Sequence, residues 1–253
     1  MLRSRIIPCL LVHNKGLVKT VNFDNPKYVG DPINAVKIFN EKEVDELMVL
    51  DIDATIKDKP PNYKLIKNLA DECRMPFCYG GGIKSVDEAK KIISLGVEKV
   101  AISNSALINI DLCVEIGNVI GMQSVVVVID VKKRRFFGGY DIYTHNGTKK
   151  SKWKLEDFIN NLEEIGVGEI VINSIDNDGT MKGFDIKLAE LVRNLCSMPI
   201  TILGGAKDLL DIKNLISKFK VIGASAGSLF VFKGKYKAVL ISYPNRDERK
   251  KYY

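Results

Sequence analysis

The sequence predicts a (β/α)8 barrel, and three observations carry that expectation. Eight short apolar runs stand at residues 5–12, 46–53, 76–80, 99–103, 124–130, 169–175, 199–204 and 221–225, nearly continuous and rich in Val, Ile and Leu. Strands of a parallel sheet covered on both faces read this way. Stretches of helical period separate the runs, so strands and helices alternate along the whole chain. Finally, the chain resembles itself: residues 75–107 align with 198–230, and 45–53 with 168–176, at an offset of 123. Glu46, Asp53, Met75, Pro76, Gly81, Gly82 and Lys84 thereby match Glu169, Asp176, Met198, Pro199, Gly204, Gly205 and Lys207. A period this long is not that of a solenoid. It describes one domain made of two half-barrels, about residues 1–122 and 123–253, with four strands each. A doubly wound open sheet would share the alternation, but it supplies no reason for the repeat.

Each helix has its own signal. "DPINAVKIFNEKE", "NYKLIKNLADEC", "SVDEAKKIISLG", "LEDFINNLEEIG" and "DIKLAELVRNLC" repeat apolar residues at helical spacing. Gly96 and Gly166 follow such segments, where a residue that tolerates left-handed backbone closes a helix.

Composition narrows the function classes. The 253 residues are 46% hydrophobic and 27% charged, an ordinary globular balance. The net charge of +7 is spread over helical stretches, apart from dense runs at 132–135 and 246–251, and no aromatic residues interleave with it as in nucleic-acid modules. A solvated surface, an anionic small ligand or an acidic partner is expected instead. The N-terminal apolar run is seven residues long and no stretch nears membrane-spanning length, so neither a signal peptide nor a membrane span is expected. Five scattered cysteines suit reduced thiols in the cytoplasm, and with only two distant histidines no metal site is expected. No motif calls for a cofactor.

In barrels of this kind the chemistry lies at the C-terminal ends of the strands. Gly80, Gly81 and Gly82 fall there, as do Gly204 and Gly205, the segment Ser103-Asn104-Ser105, and Ala226-Gly227-Ser228. Glycine admits close backbone approach, and a helix start offers free N–H groups to an anion, so each half offers one phosphate cradle. Two related cradles suit an elongated ligand with a phosphate at each end; tight strand-to-helix turns would also use these glycines. Asp51, Asp53, Asp130, Asp176 and Asp178 are the carboxylates at strand ends and hence the acid–base candidates. Alternation is expected to set Asp51 and Asp53 on one side of their strand. Cys9, within the first run, is a further candidate. At the opposite ends, Arg5, Glu46, Lys99 and Glu169 stand where apolar runs begin, so two bases and two acids converge on the bottom of the barrel. That pattern fits a structural salt-bridge cluster as well as a functional ring.

The segments "RIIPCL", "VKTVNF", "DELMVLDI", "PFCYGGGI", "VEKVAI", "SVVVVIDVK", "GEIVINSIDNDGT" and "LGGA" together resemble the cyclase subunit of imidazole glycerol phosphate synthase, from residue 1 to about 235. The resemblance implies a duplicated barrel that makes imidazole glycerol phosphate from a doubly phosphorylated ribonucleotide. It implies phosphate contacts by Gly81, Gly82, Ser103, Asn104, Asp178, Gly179, Gly204, Gly205, Gly227 and Ser228. Lys19 matches a mobile-loop lysine over the site, and Asp130 matches a catalytic aspartate. Arg5, Glu46, Lys99 and Glu169 match a gate through which ammonia arrives from a class-I glutaminase docked on the bottom face.

Two departures stand out. Ser103-Asn104 replaces the usual Asn-Thr, and Leu11 stands where the family's main acid–base aspartate belongs. Leucine cannot transfer a proton, and loss of such a group typically costs 10²–10⁴-fold. The start "RIIPCLLV" and the ending "FVFKGKYKAVLISYP" are similar to a paralogous branch linked to acetamidino modification of surface sugars, in lipopolysaccharide or flagellar glycans. That similarity implies ammonia delivered to a separate amidating enzyme. Genuine histidine-pathway cyclisation is the alternative, and a scaffold that only docks or activates the glutaminase is the non-enzyme one.

Overall fold

The computed structural model describes residues 3–136 and 138–252. The first half comprises β1 (Arg5–His13), β2 (Gly16–Val21), β3 (Asp24–Gly30), α1 (Pro32–Glu41), β4 (Leu47–Asp51), α2 (Tyr63–Glu72), β5 (Phe77–Gly80), α3 (Val86–Ser94), β6 (Lys99–Ile102), α4 (Asn104–Ile108) and α5 (Asp111–Ile120). The second comprises β7 (Val125–Lys133), β8 (Tyr140–Thr144), β9 (Lys149–Lys154), α6 (Leu155–Ile165), β10 (Glu169–Ser174), α7 (Ile186–Leu195), β11 (Ile200–Leu203), α8 (Leu209–Phe219), β12 (Gly223–Ala226), α9 (Ser228–Val231), β13 (Phe232–Lys233), β14 (Ala238–Val239) and α10 (Arg246–Arg249).

The expected barrel forms. Strands β10, β11, β12, β1, β4, β5, β6 and β7 pair in that order, all parallel, and β7 returns to β10 to close the ring. Period-2 alternation divides each strand between two cores. Ile7, Cys9, Met48, Cys78, Ala101, Val126, Val128, Val171 and Leu203 fill the barrel interior. Their neighbours, such as Ile6, Val49, Phe77, Val127 and Ile172, pack outward against the helices. The helices begin where the sequence supplies caps. Asp31, Asn62, Ser85, Asp185 and Asp208 each accept a backbone N–H from the first turn of α1, α2, α3, α7 and α8, a contribution of about 1 kcal/mol apiece. Gly166 closes α6 with φ +74°. No helix among the described residues is long and apolar enough to cross a membrane.

Two features go beyond the expected alternation. First, β1 and β7 run nine residues each, against four to six for the other barrel strands, so they overhang the C-terminal rim. Each overhang takes an antiparallel ribbon: β2 and β3 on β1, β8 and β9 on β7. These ribbon strands are short and mostly polar, which hid them from a search for apolar runs.

Second, no long helix follows β12. Helix α9 has four residues, the β13–β14 hairpin turns the chain back, and residues 240–244 form an extended strap. Its upper part bonds to α9, with Leu240 N–H donating to Val231 O (2.8 Å) and Ser242 N–H to Phe230 O (2.9 Å). Its lower part reaches the start of the barrel. The Tyr243 hydroxyl donates to Ile6 O (2.9 Å) and accepts from Asp45 N–H (3.2 Å), with its ring 5.3 Å from that of Phe230.

The bridging hydroxyl ties β1 to Asp45, two residues before β4. Tyr243→Phe leaves both backbone groups without this partner and should cost about 1–2 kcal/mol. Urea denaturation measures it; a variant as stable as the parent would show that the strap's hydroxyl contributes nothing.

Candidate functional site

The C-terminal ends of the barrel strands enclose a cavity of about 230 Å³. It brings together most of the residues the sequence singled out: Cys9, Lys19, Asp51, Gly81, Gly82, Ser103, Asn104, Asp130, Asp178, Gly179, Gly204, Gly205, Gly227 and Ser228 all line it. Leu11 lines it as well, beside Leu50 on the neighbouring strand. The glycine turns after β5 and β11 and the starts of α4 and α9 surround this mouth, two per half.

Asp130 is the last inward residue of β7. Asn173, on β10 directly opposite in register, donates its side-chain N–H to Asp130 Oδ1 at 3.0 Å. Burial pushes the Asp130 carboxyl up to about 7, against the opposing Asn173 hydrogen bond and with the help of the Asp178 charge. A carboxyl held there can give or take a proton near neutral pH. Asp178 sits in the turn after β10, where Thr20 Oγ1 donates to it at 2.7 Å and Phe23 N–H at 3.4 Å. Its carboxyl is also raised by burial, although the Thr20 hydrogen bond and the Lys19 charge oppose this.

Lys19 lies on strand β2, not on a loop, and its side chain is buried. The ribbon turns it down into the cavity, where Nζ donates to Cys9 O. Burial holds its ammonium below the usual lysine range, while Cys9 and Asp178 oppose that shift. Gly227 makes this position possible: a Cβ there would lie 2.2 Å from Lys19 Nζ. Gly205, at φ +98°, likewise brings the turn after β11 so close to Gly183 that a Cβ would fall 2.3 Å from its carbonyl oxygen.

Not every candidate carboxylate is free for chemistry. Asp51 Oδ1 accepts from Asp53 N–H (2.9 Å) and Ala54 N–H (3.2 Å), so it organises its own turn. Strand β4 ends at Asp51 and the chain turns, so the expected alternation does not extend to Asp53. Asp53 is instead held by His13 (2.7 Å), Asn14 N–H (2.8 Å) and Lys57 (2.8 Å), outside the cavity lining. Asp176 is also outside it, accepting from Lys133 N–H at 2.8 Å. The Cys9 thiol is driven up to about 11 by burial, which leaves it a packing residue rather than a nucleophile.

Sequence reading missed two neighbours of the acids, Thr20 and Asn173. The available signal for Asn173 was a polar residue at an inward position directly after the apolar "IVI" of β10. Its Oδ1 is buried without a hydrogen-bond partner among the described residues.

At the other end of the barrel, Arg5, Glu46, Lys99 and Glu169 form a closed ring. Arg5 bonds to Glu46 and, at 2.8 Å, to Glu169; Lys99 bonds to Glu46 at 2.8 Å and to Glu169 at 3.0 Å. The Glu46 and Glu169 side chains are 3% exposed, those of Arg5 and Lys99 about a fifth, so the acids are sunk and the bases face the mouth. Burial alone would raise Glu169, yet Arg5 and Lys99 outweigh it and hold the carboxyl below its usual range. Between ring and cavity lies the apolar interior.

Comparison with known proteins follows this geometry. The family model described as "Histidine biosynthesis protein" matches residues 5–237. The chain is 54% identical over 249 residues, 98% of each chain, to a provisionally named imidazole glycerol phosphate synthase subunit HisF of Leptospira borgpetersenii. It is 54% identical over 251 residues to a similarly named subunit hisF3 of Vibrio vulnificus strain YJ016, covering 99% of this chain and 96% of that one. It is 38% identical over 230 residues to the imidazole glycerol phosphate synthase subunit HisF of Streptococcus sanguinis, 91% of each chain.

The position of Asp130 has a measurable consequence. Its carboxyl is raised from 3.8 to about 7 in the folded chain, so between those values the folded state binds more protons than the unfolded one. Stability from this residue is therefore full below about pH 4 and falls as pH rises toward 7. Asp130→Asn, which cannot ionise, should gain about 2 kcal/mol relative to the parent between pH 5 and pH 8. Urea denaturation of both proteins at the two pH values tests this, and a stability difference that ignores pH would overturn it.

Proposed function

The chain belongs to the histidine biosynthesis protein family, and on that premise we propose that it is the synthase subunit of a glutamine-dependent amidotransferase pair, receiving ammonia through its barrel. The observation that carries this reading is the complete ring of Arg5, Glu46, Lys99 and Glu169 beneath an apolar bore. Both ammonium and ammonia would shed hydration to pass such a bore, but for the charged ion this costs many times more than for the neutral molecule. The partner is a class-I glutaminase on the N-terminal face. Arg5 and Lys99 each bridge both carboxylates, so either base can hold Glu46 and Glu169 together when the other moves to open the gate.

At the far end the ligand is a phosphorylated small molecule. The turns at Gly81–Gly82 with Ser103–Asn104, and at Gly204–Gly205 with Gly227–Ser228, hold its phosphates; Asp178 and Gly179 position one of them, and Lys19 supplies a positive charge. Asp130, poised near neutral pH, is the acid–base residue. No proton carrier stands at Leu11 opposite it, which disfavours the ring closure that would need two. We therefore favour delivery of ammonia to a separate amidating enzyme that converts an acetamido group of a surface sugar to acetamidino. Histidine-pathway cyclisation, the activity that the name of the Streptococcus relative carries, is the competing reading, and the acids Asp130 and Asp178 in the cavity lining are what favour it.

Two measurements decide between these. The purified pair, given glutamine and the histidine-pathway ribonucleotide, should make imidazole glycerol phosphate at least about 100-fold more slowly than a family member with the aspartate, and Leu11→Asp should recover part of the deficit. Rapid formation by the parent chain would sink the sugar reading. Separately, Lys99→Met or Glu169→Gln should let glutamine hydrolysis continue while ammonia leaks to solvent. A pair that stays fully coupled would mean that the ring only braces the barrel.

A further inference from the structure

The basic run at 246–251 has no role in the cavity or the ring. It stands at the end of the strap, on α10, which carries a complete capping box: Asn245 accepts from Asp247 N–H and Glu248 N–H, and Glu248 accepts from Asn245 N–H at 2.8 Å. One residue of the run is an anchor. Arg249 is 7% exposed, donates to Glu43 O, and lies with its guanidinium 5.2 Å from the Tyr243 ring centre. The others face outward. Arg246 and Lys250 are exposed, and with Arg249, Arg3 and Arg74 they line a surface groove.

Two acids also line that groove, Glu43 and Asp45. Asp45 is already engaged: its Oδ2 accepts from Ile6 N–H at 3.0 Å and its Oδ1 lies 3.9 Å from Arg249. Five cations against two acids give the groove lining a net positive charge, with Lys250 paired to Asp247 at 3.0 Å, Arg3 and Arg249 each 3.9 Å from Asp45, and Arg246 exposed. The groove opens on the N-terminal rim of the barrel, and its lining includes the chain neighbour of a ring residue. Asp45 precedes Glu46 and Ile6 follows Arg5, and the Tyr243 hydroxyl bonds to the backbone of both Asp45 and Ile6. The strap thus carries a basic surface to the edge of the gate and fixes it to the chain neighbours of two gate residues.

We propose that this groove docks an acidic segment of the glutaminase subunit, so that the C-terminal strap forms part of the partner interface. The proposal rests on the reading that a glutaminase binds the N-terminal face. Charge complementarity selects the occupant's chemistry, and the groove's place on the same N-terminal face as the ring selects the partner. Contacts of this kind act chiefly on encounter and orientation, so their signature is dependence on salt.

The test uses the full chain and the purified class-I glutaminase subunit from the same organism, with affinity measured by calorimetry at low and high salt. Arg246→Glu/Lys250→Glu should weaken binding about 10-fold or more at low salt, and the difference should shrink at high salt. Lys90→Glu/Lys213→Glu, an equal charge reversal at exposed positions of α3 and α8, should leave binding close to that of the parent. Should the reversal unfold α10, Arg246→Ala/Lys250→Ala, which keeps the capping box, must still weaken binding and flatten its salt dependence. Parent-like binding by the strap variants, or equal weakening by the control, overturns the docking role while the glutaminase pairing stands. A parent chain that does not bind the glutaminase at all overturns the pairing itself, and the docking role with it.

Discussion

Two carboxylates taken out of water set the terms for the rest of the molecule. Glu46 and Glu169 lie at the bottom of the barrel almost without exposure, and each such charge costs several kcal/mol to desolvate. Only paired cations at close range can offset that, and Arg5 and Lys99 supply them from two other strands. The requirement reaches beyond the ring. A slip of one residue in β1, β4, β6 or β10 would turn a charged side chain from the bore to the helix layer. With Arg5 inward, alternation carries Ile7, Cys9 and Leu11 inward too; with Glu169 inward, Val171 and Asn173 follow. The residues that face the cavity at the top are therefore fixed by ion pairs at the bottom.

Between the two ends the bore changes character in steps. A charged layer gives way to Ile7, Met48, Cys78, Val126 and Val171, then to Cys9, Ala101, Val128 and Leu203, and finally to Leu11, Asp130 and Asn173. The apolar middle layers exclude water from both ends, which is why Asp130 titrates near neutrality and why Lys19 sits below the ordinary lysine range. The long strands β1 and β7 do the complementary work above the rim. Their ribbons reach over the mouth from opposite halves, one lowering Lys19 and Thr20 toward the cavity and the other Thr144 and His145.

Much of this was legible in the sequence because it depends on period and repetition. The eight apolar runs fall within a few residues of the eight barrel strands, and the four charges that stand at their starts meet in one ring. What escaped was whatever does not repeat or does not bury a stripe. The ribbon strands, such as "KKSKWK", have too few apolar residues to announce a sheet. Asp53 and Asp176 look like strand-end acids, yet each is consumed by a loop, because where a side chain turns after a strand ends is set by backbone donors that no pattern displays. The strap in place of an eighth long helix is the largest such case. Lys235, Lys237 and Pro244 deny that stretch a helical stripe, but only the structure shows Tyr243 reaching the start of the barrel.

The two halves differ where their equivalence would matter most. Leu11 and Asp130 each pair with the first strand of the overlying ribbon, Leu11 with Val18 and Asp130 with Tyr143. Past these pairs, one half presents a buried ammonium at Lys19 and the other a hydroxyl at Thr144. At these two positions the first half thus contributes a cation and no acid, the second an acid and no cation, while Asp51 of the first half, which also lines the cavity, is held in its own turn. A phosphate held over such a mouth would be drawn toward Lys19, and its negative charge would favour the protonated form of Asp130 still further. Asp130 in that state can donate a proton, but at Leu11 no carboxylate stands to take one up. Leu11 therefore does more than remove one residue from a pair. It turns a mouth that an acid at this position would equip for paired proton transfer into one suited to holding an anionic ligand above the apolar interior of the barrel.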